Sequence, residues 1–200
     1  MEKLILASCS PRRKELLTVA GIPFEAVVSD VDESCALPVG EAVAELSARK
    51  ALAVGRTHPG RFVLGADTLV AVDGEKLGKP ADAEDAERML RLLSGRTHQV
   101  YTGVSLVTPS GNILTEYDRS DVTFCTLSDE EITSYVRSGE PMDKAGGYAL
   151  QGHASLWITH MEGSYSSVIG LPLHRVRSLL LRGGYPLFPP AEGSEKPRKG

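Results

Sequence analysis

Two hundred residues with an apolar share of 42% are enough to build one hydrophobic core without disulfides or a structural metal. A formal net charge of -4 excludes the basic field that a general nucleic-acid or anionic-membrane binder needs, while a small charged ligand stays allowed. Cys9, Cys35 and Cys125 are odd in number, widely spaced and without a C-x-x-C pair, so they indicate neither a disulfide framework nor a zinc site and fit a reducing cytoplasm.

Strand and helix signals alternate along the chain. Residues 3–7 read as a short buried strand and 11–20 as a helix, with Ser10 as its cap, Pro11 in its first turn and Gly21 at its end. The box Leu6-Ala7-Ser8-Cys9 has the outline of a lipoprotein cleavage site, but the apolar run before it is shorter than the roughly 7–15 residues of a signal core, so export is not expected. An extended stretch through 27–31 precedes an alanine-rich helix over 40–54. Residues 62–64 and 69–72 read as two strands, followed by the turn Asp73-Gly74 and a return strand at 76–77. A helix over 82–93 closes at Ser94-Gly95, and a long hairpin follows, with strands over 99–107 and 113–127 joined through Pro109-Ser110-Gly111-Asn112. Ser128 and Glu131 form a capping-box pattern for a helix that stops at Gly139. Residues 145–169, rich in Gly, aromatics and Ser, suggest strands and ligand-facing loops, and 173–181 a final helix. Long antiparallel pairs among βα units imply an α/β fold, a mixed β-sheet with helices on its faces. We expect one domain over 1–188 and a disordered tail over 189–200. No apolar stretch approaches the ~20 residues that span a bilayer.

Three features carry possible chemistry. Arg12 and Arg13 fall in the opening turn of a helix, where the macrodipole disfavours cations, so an anion is expected beside them. With Ser8, Ser10 and free backbone N–H groups they could form a polyphosphate cradle, or they could pair with surface carboxylates such as Glu15. Lys50 falls on the stripe that Val43, Leu46 and Val54 make apolar, so it either snorkels to the surface or enters a cleft. Asp67 sits between apolar segments, where an unpaired carboxylate is costly; Mg²⁺ or Mn²⁺ would satisfy it, with Glu33 a second candidate ligand. Lys79, in a Gly/Pro loop, is alone as well explained as a solvated cation. Together these residues supply what phosphoryl chemistry requires: cations to offset phosphate charge, carboxylates to hold a metal, and a carboxylate to activate water.

The motifs Ser8-Cys9-Ser10-Pro11-Arg12-Arg13, Val31-Asp32-Glu33, Ala48-Arg49-Lys50-Ala51, Gly65-Ala66-Asp67-Thr68, Gly78-Lys79-Pro80, Tyr101-Thr102-Gly103-Val104, Asp143-Lys144-Ala145-Gly146-Gly147-Tyr148-Ala149-Leu150-Gln151-Gly152 and Gly163-Ser164-Tyr165 with Gly170-Leu171-Pro172 occur in that order up to about residue 181. In this the chain resembles the Maf family of nucleotide pyrophosphatases. The resemblance implies two lobes around a central cleft, a fold like that of inosine triphosphate pyrophosphatases, a divalent metal cofactor, a nucleoside triphosphate substrate, and a homodimer. Carried over residue by residue, it implies Asp67 as proton acceptor, Ser8, Arg13, Glu33, Lys50 and Lys79 around the phosphates and metal, and Arg12, Thr68 and Gln151 in substrate choice.

Gln151 points to the branch of the family that acts on dTTP and UTP; the branch acting on 7-methyl-GTP tends to carry an acidic residue there. An amide in one orientation can donate to O4 and accept from N3–H of uracil or thymine, the reverse of what cytosine presents; alternatively it satisfies a loop backbone. The expected function is therefore hydrolysis of dTTP and UTP to the monophosphate and pyrophosphate in the cytoplasm. A pyrophosphatase of the 7-methyl-GTP type and a non-enzymatic regulator of septum formation are the rival readings. Two departures from the family pattern, Cys9 and Ser167, touch none of the implied catalytic groups.

Overall fold

A strand that is apolar on both faces has to run inside a sheet covered on both sides. Leu4, Ile5 and Leu6 are all fully buried, and in the computed structural model, which describes residues 3–187, they form the inner strand β1 (Leu4–Leu6). Helix α1 (Pro11–Val19) carries the chain across to β2 (Phe24–Ala26), which pairs parallel to β1 at the sheet edge. Helix α2 (Val39–Thr57) returns it to β3 (Val63–Val72), parallel to β1 on its other side. β4 (Glu75–Leu77) folds back on β3 through Asp73 and Gly74, both at positive φ, as the Asp-Gly turn predicts. After α3 (Ala83–Leu93), the hairpin strands β5 (Thr97–Val107) and β6 (Ile113–Phe124) extend the sheet antiparallel to β3. α4 (Asp129–Arg137), β7 (Ile158–Glu162), α5 (Tyr165–Ile169) and α6 (Leu173–Arg182) complete a mixed seven-stranded sheet of order β2-β1-β3-β5-β6-β7, with β4 on β3.

The expected capping chemistry is present at two helices: Asp82 accepts from Asp85 N at 2.9 Å, and Ser128 and Glu131 make the reciprocal capping box of α4. Ser10 precedes α1 without a side-chain capping bond, and its own N–H donates to the hydroxyl of Ser8 at 3.2 Å.

Three expectations need correction. Residues 62–64 and 69–72 are parts of one strand: β3 keeps unbroken register with β5 from Val63 opposite Val107 to Ala71 opposite Gln99, and Gly65-Ala66-Asp67 lies inside it. The extended edge strand is Phe24–Ala26, and after Val27 N bonds Leu6 O the chain leaves the sheet, so 27–31 is irregular. Residues 145–169 hold a single strand, β7, between 3₁₀ turns and α5, because Ser164 caps a helix by accepting from Ser167 N. The tail expected over 189–200 lies outside the described residues. Among the described residues no helix is long and apolar enough to cross a membrane.

A small apolar cluster of Ile5, Ala7, Ala51, Val54, Val63 and Val107 lies between α2 and the sheet, and two larger ones share the sheet's length. Of the larger two, the first gathers Leu4, Leu6, Leu17, Leu64, Leu106 and Leu179 beneath α1 and α6; the second gathers Val70, Leu90, Phe124, Ile132, Tyr135 and Trp157 beneath α3 and α4. β3 contributes Leu64 and Ala66 to the first and Val70 and Val72 to the second, so Asp67 and Thr68 sit where the strand passes from one lobe to the other. α2 lies against β3 and β5 at the two glycines that offer no Cβ. A Cβ at Gly65 would come 2.4 Å from Ser47 O, and one at Gly103 would come 2.1 Å from Val43 O. Both clashes are with backbone, so Gly103→Ala should cost about 3 kcal/mol by overpacking, measured as a lower urea midpoint; an unchanged midpoint would mean that α2 can lift without penalty.

His98 is fully buried between Phe124 and Tyr148, its Nε2 2.7 Å from the Tyr148 hydroxyl. Burial lowers its pKa from 6.5 to about 4, with only Asp121 opposing. From pH 6.5 down to 4 the unfolded chain therefore binds a proton that the folded chain refuses, and stability falls with pH across that window. The expected loss is about 3 kcal/mol. Denaturation curves at pH 7, 5.5 and 4 should show a shallower decline for His98→Gln than for the unsubstituted protein, and parallel declines would assign the acid sensitivity elsewhere.

Candidate active site

Every residue singled out for phosphoryl chemistry or substrate choice (Ser8, Arg12, Arg13, Glu33, Lys50, Asp67, Thr68, Lys79 and Gln151) lines one cleft of about 360 Å³ between the lobes. The site is assembled from four directions: the start of α1, the irregular segment carrying Glu33, the middle of α2 over β3, and the loops after β4 and α4.

Lys50 is its centre. The close approach of α2 to the sheet drives this side chain into the cleft, where it stays 7% exposed. Its ammonium donates to Asp67 Oδ1 at 2.5 Å and pairs with Glu33 Oε1 at 2.7 Å. Of the two fates open to a lysine on an apolar stripe, it has the inward one. Asp67, also 7% exposed, thereby has the partner that a carboxylate inside a strand needs. Burial pushes the Glu33 carboxyl up, but the hydrogen bond and charge of Lys50, followed by Lys79 and Arg13, outweigh it and hold the group below the ordinary glutamate range. Lys79 reaches Glu33 Oε2 at 3.8 Å from the opposite lobe.

Arg13 is held differently. Its Nε donates to Gly170 O at 2.8 Å, Nη1 to Ser8 Oγ at 3.3 Å and Nη2 to Thr68 Oγ1 at 3.2 Å, all neutral oxygens. Gly170 ends α5 at φ 123, a conformation that favours glycine and turns its carbonyl toward the guanidinium. Burial lowers the Arg13 pKa, opposed chiefly by the charge of Asp67. Thr68 is fixed in turn by Thr102 Oγ1 at 3.0 Å, which donates to Ser167 O at 2.9 Å. Arg12 pairs with Asp143 across the cleft at 3.6 Å, so its carboxylate partner is Asp143 and not Glu15. Gln151 is exposed at the rim.

Asp143, Thr102 and Gly170 hold these groups in place, yet no role was read for them from the sequence. All three stand inside the family's motifs, and for Asp143 the local signal is an acid beside Lys144 in a glycine-rich loop. Thr102 has no such local signal beyond its motif, since a hydroxyl on a buried strand reads as packing.

Among the described residues no three His, Cys, Asp or Glu side chains converge on a common point. The two carboxylates that meet at Lys50 nevertheless suit Mg²⁺ or Mn²⁺: both are hard oxygen donors, the Lys50 contact to Asp67 uses Oδ1 alone, and Mg²⁺ usually takes one or two carboxylates, waters and substrate phosphate.

The profile of the family described as Maf-like protein matches residues 3–182. The dTTP/UTP pyrophosphatase of Symbiobacterium thermophilum is 53% identical over 190 residues, covering 94% of this chain and 97% of that protein. That of Bacillus cytotoxicus is 51% identical over 178 residues, covering 88% and 93%. A solved structure of a HAM1 protein from Coxiella burnetii is 14% identical with a TM-score of 0.50, covering 91% of this chain and 100% of that one, a likeness of fold alone.

Lys50→Met keeps the stem of the side chain and removes its ammonium. It should lower the unfolding free energy at neutral pH by about 3 kcal/mol, the cost of leaving a buried carboxylate without its partner. Urea denaturation measures this, and a loss under about 0.5 kcal/mol, the range of an ordinary surface change, would show that water satisfies Asp67 instead.

Proposed function

Because the chain belongs to the Maf family, we propose that it is a nucleoside triphosphate pyrophosphatase that hydrolyses dTTP and UTP to the monophosphate and pyrophosphate, the substrates that its relatives' names carry. The observation that supports this most is the convergence of Lys50, Arg13 and Lys79 with Asp67 and Glu33 in one cleft. Cations alone would bind a triphosphate; carboxylates among them give the site a base and a place for a divalent ion.

In this reading Asp67 and Glu33 hold Mg²⁺ or Mn²⁺, which when bound offsets phosphate charge and polarises the phosphoryl oxygens. Arg13, already aligned by Ser8, Thr68 and Gly170, binds the phosphates without having to reorganise. Lys79 closes on them from the other lobe. Asp67 takes a proton from the attacking water as its oxygen bonds to the α-phosphorus; the bridging α–β P–O bond breaks and its electron pair leaves with pyrophosphate. Lys50, donating to Asp67 Oδ1, keeps that carboxylate oriented for the transfer. Gln151 at the rim reads the base by donating to O4 and accepting from N3–H, and Arg12, tied to Asp143, lines the same cleft.

Asp67→Asn keeps the shape and removes the base, so kcat with UTP should fall by about 10²–10⁴-fold in a protein that still folds. Anion-exchange analysis of UTP, dTTP, CTP, GTP and 7-methyl-GTP incubated with protein and Mg²⁺ or Mn²⁺ should give UMP, dTMP and pyrophosphate. 7-methyl-GMP as the main product would overturn the base assignment, and intact triphosphates with either metal would overturn the activity.

A further inference from the structure

Gln151 stands on a stretch with neither helix nor strand beneath it, yet a base-reading amide has to be held to within about 0.5 Å. The bonds on either side of it supply that hold. Glu140 opens the 3₁₀ turn Glu140–Asp143 that follows α4. Its carboxylate accepts from the Tyr135 hydroxyl at 3.0 Å and lies 2.8 Å from His153 Nδ1 and 3.5 Å from His153 N. The Tyr135 hydroxyl in turn accepts from Ala149 N at 3.3 Å. One carboxylate and one phenol thus grip both ends of the segment 149–153, with Gln151 between them.

The grip is anchored and tight. Tyr135 is buried, edge-on to Trp157 with ring centroids 4.8 Å apart, so the phenol is fixed to the core of its lobe. Lys144 Nζ donates to Glu140 O at 2.7 Å and closes the base of the loop. A Cβ at Gly152 would lie 2.0 Å from Glu140 Oε1. The backbone there is extended, with φ 170, so the glycine is required for room and not for its conformational freedom. Burial pushes the Glu140 carboxyl up, but the bonds from His153 and Tyr135 outweigh it, which keeps the group an ionised acceptor.

We infer that Glu140, acting with Tyr135, is a positioning residue for base recognition: it clamps the segment that carries Gln151 and so sets the preference for uracil or thymine over cytosine. Neither residue lines the cleft, so the effect on the substrate runs through the segment they hold. The inference rests on the reading of Gln151 as the base-contacting amide.

The test compares kcat and KM for UTP and CTP in the unsubstituted protein, Glu140→Ala, Glu140→Gln, Tyr135→Phe, the Glu140→Ala/Tyr135→Phe pair and Gln151→Ala, with thermal melts as the control for folding. Glu140→Ala should lower the UTP/CTP ratio of kcat/KM by about tenfold, with KM for UTP rising more than kcat falls. Glu140→Gln, which keeps one carbonyl oxygen for the Tyr135 hydroxyl, should recover part of that ratio. The double variant should be no worse than Glu140→Ala, because the two side chains act in one chain of bonds. Gly152→Ala, which crowds Glu140, should reproduce the loss if Glu140→Ala fails to fold. A folded Glu140→Ala or Tyr135→Phe protein with an unchanged ratio, beside a collapsed ratio in Gln151→Ala, would overturn the positioning role alone. An unchanged ratio in Gln151→Ala would overturn the reading of Gln151, and the role of Glu140 in specificity with it.

Discussion

A lysine ammonium between two carboxylates is the constraint around which this molecule is arranged. Asp67 lies inside a sheet strand and is nearly without access to water, a position that a carboxylate occupies only with a partner. Lys50 is that partner, and it reaches Asp67 because α2 lies directly on the backbone of β3 and β5. The close approach is made at Gly65 and Gly103, so two residues with no chemistry of their own decide whether the ion pair exists. Buried hydroxyls continue the contact: Ser47 Oγ lies 2.8 Å from Ser105 Oγ, which lies 2.8 Å from Thr115 Oγ1, tying helix to sheet by polar bonds where apolar packing would leave them unpaired.

β3 gives the arrangement its place in the fold. Its Leu64 and Ala66 belong to the core under α1 and α6 and its Val70 and Val72 to the core under α3 and α4. The carboxylate at the crossing, Asp67, is therefore supported by both lobes and open to the cleft between them. Each lobe also sends its own cations, Arg13 from the first and Lys79 from the second, so a triphosphate bound there would contact both bodies at once. The backbone bond from Gly146 N to Gly78 O at 2.9 Å ties the loop before Gln151 to the turn that carries Lys79. The loop that carries Gln151 and the turn that carries Lys79 are thus mechanically linked.

The cations are satisfied in contrasting ways, and this bears on their use. Lys50 is committed to carboxylates, which suits a group that orients a base. Arg13 donates to two hydroxyls and a carbonyl, which fix its direction without neutralising its charge, so its field stays available to an anion. Arg12, paired at the longer distance of 3.6 Å with an exposed Asp143, is the most easily redirected of the three.

The features that the sequence determined by itself are those written in near neighbours. The caps at Asp82 and Ser128, the turn at Asp73-Gly74, the long hairpin and the alternation of helix and strand depend on residues a few positions apart, and the amphipathic pattern was enough to give a mixed α/β sheet. Candidate site residues were legible as local anomalies: arginines at a helix start, a lysine on an apolar stripe, an acid among apolar residues. Their partners were not. Arg13 and Gly170 are 157 positions apart, Lys50 and Asp67 are 17, and the register that joins 62–64 to 69–72 in one strand is set by β5. Each of those choices is made by surroundings that exist only once the chain has folded: the pairing edge of a neighbouring strand, the distance at which a helix can lie on a sheet, and the exclusion of water that turns an unpaired charge into a cost.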